Sequence, residues 1–135
     1  MKELVVDAKL DNLNQVLAFL DEWLEEHECP MKAQMQIDIA VEEMYVNIAH
    51  YAYTPNVGQA TIRLDASTDA KGVEITLIDC GIPYNPLAKE DPDVSLSAEQ
   101  RQIGGLGIFM VKKSMDSMLY EYTDGQNILT MRKDF

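Results

Sequence analysis

Apolar residues recur with the helical period in two stretches of the N-terminal half. In the first stretch the spacing predicts an amphipathic helix, whose apolar positions are Leu13, Val16, Leu17, Leu20, Trp23 and Leu24. Pro30 ends this helix, because the residue before a proline is disfavoured in helical conformation. A second, longer helix is predicted from about residue 31 to residue 53, and its apolar stripe consists of Ile37, Val41, Met44, Ile48 and Ala52.

Other stretches are short and apolar or alternate between apolar and polar residues, which is the period of a half-buried strand. The predicted strands are residues 4–6, 60–67, 73–79, 118–122 and 128–132. Gly72 and Gly125 lie in the turns that join the second strand to the third and the fourth to the fifth. This order of elements predicts one domain, residues 1–135, of the α+β class. We expect a two-layer α/β sandwich with helices on one face of a mixed, mainly antiparallel sheet.

Residues 81–103 show no period and separate the third strand from a helix predicted at residues 106–116. A loop of this length inside a compact domain is usually functional or disordered. Three glycines, Gly104, Gly105 and Gly107, open the helix that follows. Glycines at a helix start present backbone N–H groups and the positive end of the helix dipole, which suit a phosphate group. The alternative is a flexible helix start that binds nothing.

The balance of charge limits the ligands that this chain can bind. Asp and Glu outnumber Lys and Arg by 23 to 11, so the formal net charge is −12 at pH 7. Such a charge repels nucleic-acid phosphates, and we expect no nucleic-acid partner. No apolar run approaches the ~20 residues that span a bilayer, so we expect no membrane association. The spacing of Cys29 and Cys80 suits no metal site, and we expect two reduced thiols in a cytoplasmic protein.

Glu43 and Asn47 are the first candidates for chemistry. They lie four residues apart in the second predicted helix, so their side chains project side by side from the flank of its apolar stripe. His50 falls on the same flank, whereas Glu42 falls on the other side. A carboxylate beside an amide oxygen could hold Mg²⁺ together with substrate phosphates, or the carboxylate could orient a hydroxyl nucleophile. The alternative is an ordinary solvated helix face, with a structural role for His50.

Asp79 and Gly81 form the second candidate pair. An aspartate where a strand meets a loop can accept a hydrogen bond from an exocyclic amine such as that of adenine. The glycine that follows lets the backbone approach a flat ring closely. The alternative is a common Asp-x-Gly turn. Together with the glycine-rich helix start, these residues favour a nucleotide as the ligand.

The three signals, in this order, resemble a known family. The segments with the matching motifs are residues 40–53, 79–86 and 103–110, and the resemblance as a whole covers nearly the whole chain. The sequence resembles the anti-sigma-factor serine kinases of bacterial partner-switching systems. These share an ATP-binding fold with histidine kinases, gyrase and mismatch-repair ATPases, so the resemblance implies a histidine-kinase-like ATPase fold.

The resemblance also implies roles for individual residues. Glu43 matches the general base, Asn47 the Mg²⁺ ligand and Asp79 the acid that reads adenine. The full set of expected ATP contacts is Asn47, His50, Asp79, Gly81, Pro83, Arg101, Gly104, Gly105, Leu106, Gly107, Ile108 and Thr130. Residues 87–102 match the lid that covers ATP. Arg101 lies two positions upstream of the family arginine that touches the terminal phosphate, which is a departure from the pattern.

The function implied by this resemblance is that of a serine-protein kinase. Such a protein transfers the γ-phosphoryl group of Mg-ATP to a small antagonist, or anti-anti-sigma, protein. A sigma factor as client, a homodimeric state and a cytoplasmic location belong to the same expectation. Two alternatives stay open at this point: a non-catalytic, ATP-gated interaction module, and a detached histidine-kinase-like ATPase domain.

Overall fold

A computed structural model describes residues 1–53, 56–67, 71–88 and 105–135. The helices of this part of the chain are α1 (Leu13–Glu26), α2 (Met31–Asn47) and α3 (Gly105–Ser114). The strands are β1 (Lys2–Asp7), β2 (Gln59–Ala66), β3 (Gly72–Asp79), β4 (Ser117–Thr123) and β5 (Gln126–Asp134). Each predicted strand and helix is present, with boundaries shifted by a few residues. None of the described helices is long and apolar enough to cross a membrane.

The strands form one five-stranded sheet in the order β1-β2-β3-β5-β4. All four strand pairs are antiparallel. In this register Asp79, at the end of β3, lies opposite Ala60 of β2 and Asn127 of β5. The architecture confirms the predicted α+β sandwich, and it places the end of the central strand β3 between two paired neighbours.

The core lies between the helices and one face of the sheet. The sheet contributes alternate residues such as Ile62, Leu64, Ile75, Leu77 and Met131, all of which are buried. The helices contribute the buried side chains Val16, Leu20, Leu24, Ile37, Val41 and Met44. Burial of a large apolar side chain contributes about 1.5–3 kcal/mol. This single cluster therefore holds α2 in place against the sheet, and with it the candidate residues that α2 carries.

Tyr45 ties α2 to the segment that leaves β1. Its ring is fully buried, while its hydroxyl lies 2.7 Å from the Lys9 carbonyl oxygen and 3.1 Å from that of Asp7. The same hydroxyl accepts a hydrogen bond from the Lys9 N–H at 3.2 Å. Since a buried hydroxyl without partners would cost free energy, this network allows a tyrosine in the core next to Glu43 and Asn47.

The α2 helix does not continue to residue 53 as a regular α-helix. It ends at Asn47 and passes into a π-helical turn at Ile48–Ala52. Such turns are rare and occur frequently at functional sites. The Ala52 carbonyl accepts a hydrogen bond from the Ile82 N–H at 2.9 Å. The π-turn therefore joins the end of α2 to the loop that follows β3.

Candidate active site

A cavity opens between the C-terminal part of α2, its π-turn and the ends of β3 and β5. Its lining is mostly apolar, with a few polar groups. The lining residues are Met44, Asn47, Ile48, Tyr51, Ala52, Leu77, Asp79, Ile82, Tyr84, Pro86, Tyr120, Asn127 and Leu129. An apolar cavity with a few convergent polar groups is the usual form of a small-molecule site. Its volume is about 40 Å³, and three of its lining residues, Tyr51, Ile82 and Tyr84, are exposed.

Asp79 lies at the inner end of this cavity and is only 6% exposed. Its Oδ1 accepts two hydrogen bonds, from the Gly81 N–H and from the Asn127 amide, each at 2.9 Å. Within the described part of the chain, no group donates to its second oxygen, Oδ2. Asp79 therefore keeps an acceptor for a ligand donor such as an exocyclic amine.

Asn127 is a site residue that the sequence analysis missed. It is 6% exposed and lies directly opposite Asp79 in the β3–β5 pair. Besides Asp79, its Nδ2 donates to the Ile82 carbonyl at 2.9 Å, and its Oδ1 accepts from the Tyr84 N–H at 3.1 Å. One signal could have found it: Asn127 is a polar residue in the alternating row that continues with Leu129 and Met131, both buried.

Thr130, which the resemblance predicts as an ATP contact, does not line the cavity. Residues of β5 alternate between the two faces of the sheet, and Thr130 shares a face with Ile128 and Arg132 instead of the buried face of Asn127. It pairs with Thr76, three positions before Asp79, and it is not among the residues that line the cavity. The family resemblance suggested Thr130, but the strand register gives the position beside Asp79 to Asn127.

Glu43 lies one helical turn before Asn47 and is packed against the start of α3. A Cβ built on Gly107 would overlap Cδ and both carboxylate oxygens of Glu43. Glycine at this position therefore allows close contact between α3 and the Glu43 carboxylate. Burial, together with the nearby Glu42 carboxylate, raises the pKa of Glu43. A raised pKa brings a carboxylate closer to the range in which a general base works best at neutral pH.

Asn47 connects Glu43 to the cavity, since its side chain lines the cavity wall. Its amide Nδ2 is buried and has no hydrogen-bond partner in the described ranges. An amide can turn over, so that the oxygen takes the place of the nitrogen. A single amide oxygen facing a ligand cavity fits Mg²⁺, which is usually held by one or two protein ligands plus substrate phosphates. The described residues hold no cluster of three or more acidic, His or Cys side chains that would form a metal cage.

Glycine is required at position 81 because of a close contact within the protein itself. A Cβ on Gly81 would overlap the backbone of Ala52, which belongs to the π-turn. Nearby, the Tyr53 hydroxyl accepts from the Cys80 N–H at 2.7 Å and donates to the Gln59 carbonyl at 2.6 Å. These contacts fix the course of the chain immediately after Asp79, so Gly81 stabilises the site whether or not it also approaches a ring.

The remaining predicted contacts divide into three groups. Ile108 is buried in the core, so only its backbone could face a ligand. Pro83 and His50 are exposed and do not line the cavity, although they lie near its rim. Gly105 and Leu106 belong to the first turn of α3. Arg101, Gly104 and the lid segment from residue 89 onward lie outside the described residues.

The sequence of this chain matches a known domain family. The model of the histidine kinase-like ATPase domain matches residues 6–133. The chain belongs to that family. The match confirms the predicted family and fold, and it includes the whole of the cavity described above.

Curated relatives of this domain carry kinase names. Serine/threonine-protein kinase BtrW of Bordetella bronchiseptica is 26% identical over 115 residues, which are 85% of this chain and 76% of BtrW. Serine-protein kinase RsbW of Bacillus mycoides is 30% identical over 95 residues, 67% of this chain. That match spans 58% of RsbW, so the similarity extends over little more than half of that protein. The predicted enzyme class agrees with these names.

A solved structure shows the same fold. One chain of the SiaB–SiaC complex from Pseudomonas aeruginosa superposes with a TM-score of 0.61 over 96% of this domain and 88% of that chain. The sequence identity is 17%, so this likeness concerns the fold alone.

Proposed function

We propose that this domain binds Mg-ATP and transfers the γ-phosphoryl group to a serine hydroxyl on a small antagonist protein. The observation that supports the proposal is that Asp79 and Asn47 line the same cavity, while Glu43 lies one helical turn before Asn47 on α2, outside the lining. We assign the adenine ring to Asp79, the metal-bound phosphates to Asn47 and the terminal phosphoryl group to the side of Glu43.

The chemistry assigned to the chain requires one base and one binding pocket. Glu43 accepts the proton of the serine hydroxyl as its oxygen attacks the γ-phosphorus. The bond from that phosphorus to the bridging oxygen breaks, and ADP leaves. Mg²⁺, held by Asn47 and the phosphates, would neutralise charge on the phosphate oxygens. Asp79 orients the ring by accepting a hydrogen bond from the exocyclic amine of adenine.

The strongly acidic surface repels phosphates, so their binding requires local groups that attract negative charge. Net charge −12 disfavours a bare triphosphate, whereas a bound Mg²⁺ and the N-terminus of α3 both favour it. Gly107, in the first turn of that helix, contacts Glu43, so the helix start lies next to the proposed base. We therefore assign the phosphates to the space between Asn47 and the first turn of α3.

The proposed partners extend beyond what geometry can assign. The relatives are named protein kinases, and the resemblance to partner-switching kinases motivates an antagonist protein as phosphoacceptor and a sigma factor as client. We further propose a homodimer and a cytoplasmic location. The two free thiols, Cys29 and Cys80, agree with the reducing conditions of the cytoplasm.

Phosphate transfer tests the proposal. The purified protein, Mg²⁺ and ATP labelled at the γ-phosphate are incubated with candidate antagonist proteins from the same genome. We expect label on a serine of one antagonist with the wild type and none with Glu43→Gln, which keeps the side-chain shape but removes the base. Label on the kinase itself at histidine would indicate a histidine-kinase-like ATPase. ATP binding without any label transfer would indicate a non-catalytic interaction module.

A further inference from the structure

Asn127 bonds both the Asp79 carboxylate and the part of the following loop that lines the cavity. On one side its Nδ2 donates to Oδ1 of Asp79. On the other side the same amide group bonds the backbone of the loop after β3, at the Ile82 carbonyl and the Tyr84 N–H. Its oxygen also accepts a hydrogen bond from the Tyr120 hydroxyl of β4. A buried amide with every polar atom in use has one orientation available, because turning it over would set donors against donors.

This fixed orientation determines which Asp79 oxygen a ligand meets. Asn127 and the Gly81 N–H both donate to Oδ1, so that oxygen already has two partners. The carboxylate cannot rotate to exchange its oxygens without breaking both bonds. The acceptor that remains for a ligand is therefore Oδ2, in one direction, at the inner end of the cavity.

The same amide fixes the rim. Ile82 and Tyr84 line the cavity and are exposed. The Ile82 carbonyl accepts a hydrogen bond from the Asn127 amide, and the Tyr84 N–H donates one to it. The inner wall and the rim of the cavity thus depend on one side chain. Neither Asp79 nor the loop could shift without affecting the other.

We propose that Asn127 is the positioning residue that makes Asp79 select a purine with an exocyclic amine at the 6-position. The inference rests on the proposed function, because it names the residue that gives the ATP site its base specificity. It assigns to Asn127 no contact with the nucleotide. Its action is through the direction of the Asp79 carboxylate and the position of the loop at residues 81–84.

The test compares two nucleotides that differ at the 6-position. ATP carries the 6-amino donor, and ITP carries a carbonyl acceptor in its place. For the wild type, calorimetry in excess Mg²⁺ should give a Kd for ITP at least about tenfold higher than for ATP, as expected when a hydrogen bond to a charged group is lost. For Asn127→Leu, which removes the Nδ2 donor without adding a charge and keeps a similar size, the ratio should fall to within about threefold.

Two further variants separate positioning from structural damage. Asn127→Thr keeps one hydroxyl donor for Asp79 and should recover part of the ATP preference. Ile128→Val changes the opposite face of the same strand and should leave the ratio of the two Kd values at the wild-type value. General loss of stability would weaken both nucleotides equally and leave the ratio unchanged, so the ratio reports selection alone.

The outcomes distinguish this inference from the proposed function. If the wild type binds ATP selectively and Asn127→Leu keeps the full ratio, Asn127 does not position Asp79 and the inference is wrong. If Asn127→Leu does not fold, Asn127→Ala, which also removes the donor, takes its place, and an unchanged ratio in that variant overturns the inference equally. If the wild type binds neither nucleotide, the proposed function itself fails.

Discussion

Gly107 of α3 lies against the Glu43 carboxylate of α2 so closely that the space holds no side chain. We expect Gly107→Ala to displace the carboxylate, since the atoms that a methyl group would meet are the far end of a flexible side chain. Serine phosphorylation should fall about 10- to 100-fold, because small misplacements of a catalytic group have large kinetic effects. The melting temperature should change little. Phosphoryl transfer and thermal melts measure both, with Met110→Ala on the exposed side of α3 as control. Wild-type transfer by Gly107→Ala would show that Glu43 need not lie where it does.

The raised pKa of Glu43 predicts the pH dependence of transfer. The unprotonated carboxylate is the active form, so the rate should rise with pH until the pH passes the pKa of Glu43 and then level off. Burial is the first cause of the shift and Glu42 the second. Glu42→Gln should therefore move the acid limb of the profile to lower pH while the plateau stays. A profile that is identical in the two proteins would mean that another group controls the rate.

Asn47 predicts a metal-dependent loss of affinity. Asn47→Leu removes the amide oxygen proposed as a Mg²⁺ ligand but retains the side-chain volume. We expect the variant to bind ATP at least about tenfold more weakly in Mg²⁺, because a lost charge-assisted contact is worth about 1.5–3 kcal/mol. In EDTA the two proteins should bind ATP alike. Equal weakening under both conditions would assign Asn47 to the shape of the cavity and not to the metal.

A separate acidic contact between α1 and α2 predicts a pH-dependent stability. Burial and a hydrogen bond to Asp21 raise the pKa of Asp38 to about 7, with smaller effects from Glu25 and Glu42. The folded state thus holds a proton that the unfolded chain releases near pH 4, so the free energy of unfolding should fall as pH rises from about 4 to 7. In Asp38→Asn the side chain does not titrate, so this loss of stability with rising pH should be absent.

Urea unfolding of wild type and Asp38→Asn at pH 5 and pH 8 measures this effect. The variant should gain on the order of 1 kcal/mol relative to the wild type at pH 8, after allowance for the partial exposure of the group. At pH 5 the difference should be small. Glu121→Gln, an exposed change on β4, is the control. A gain for Asp38→Asn that is equal at both pH values would contradict a titration at this contact.

The elements of the fold were accessible to sequence analysis because each buries one face. The period of Val16, Leu20 and Leu24 sufficed for α1, and the alternation of Ile62 and Leu64 sufficed for β2. Both patterns depend only on local spacing, and so does the adjacency of Glu43 and Asn47. The π-turn after Asn47 was not predictable, because its hydrogen bonds to the loop after β3 are tertiary contacts.

The partner of Asp79 required the register between two strands distant in sequence. A one-residue shift of register exchanges the two faces of a strand, and no local pattern states which residue of β5 meets β3. The family resemblance favoured Thr130, whereas the register places Asn127 opposite Asp79. The need for glycine at position 81 could not be predicted either, because the backbone of Ala52 approaches it only in the folded chain. The roles assigned to Glu43, Asn47 and Asp79 stay predictions.

The central claim is that Asp79 holds the adenine ring of Mg-ATP in the cavity beside α2. Calorimetric titration of the wild type and of Asp79→Asn with ATP in excess Mg²⁺ tests it most directly. We predict saturable binding of one ATP per chain to the wild type and at least about tenfold weaker binding to the variant, whose amide offers the 6-amino group a poorer acceptor. Absence of binding to the wild type, or equal affinity in both proteins, would contradict the account.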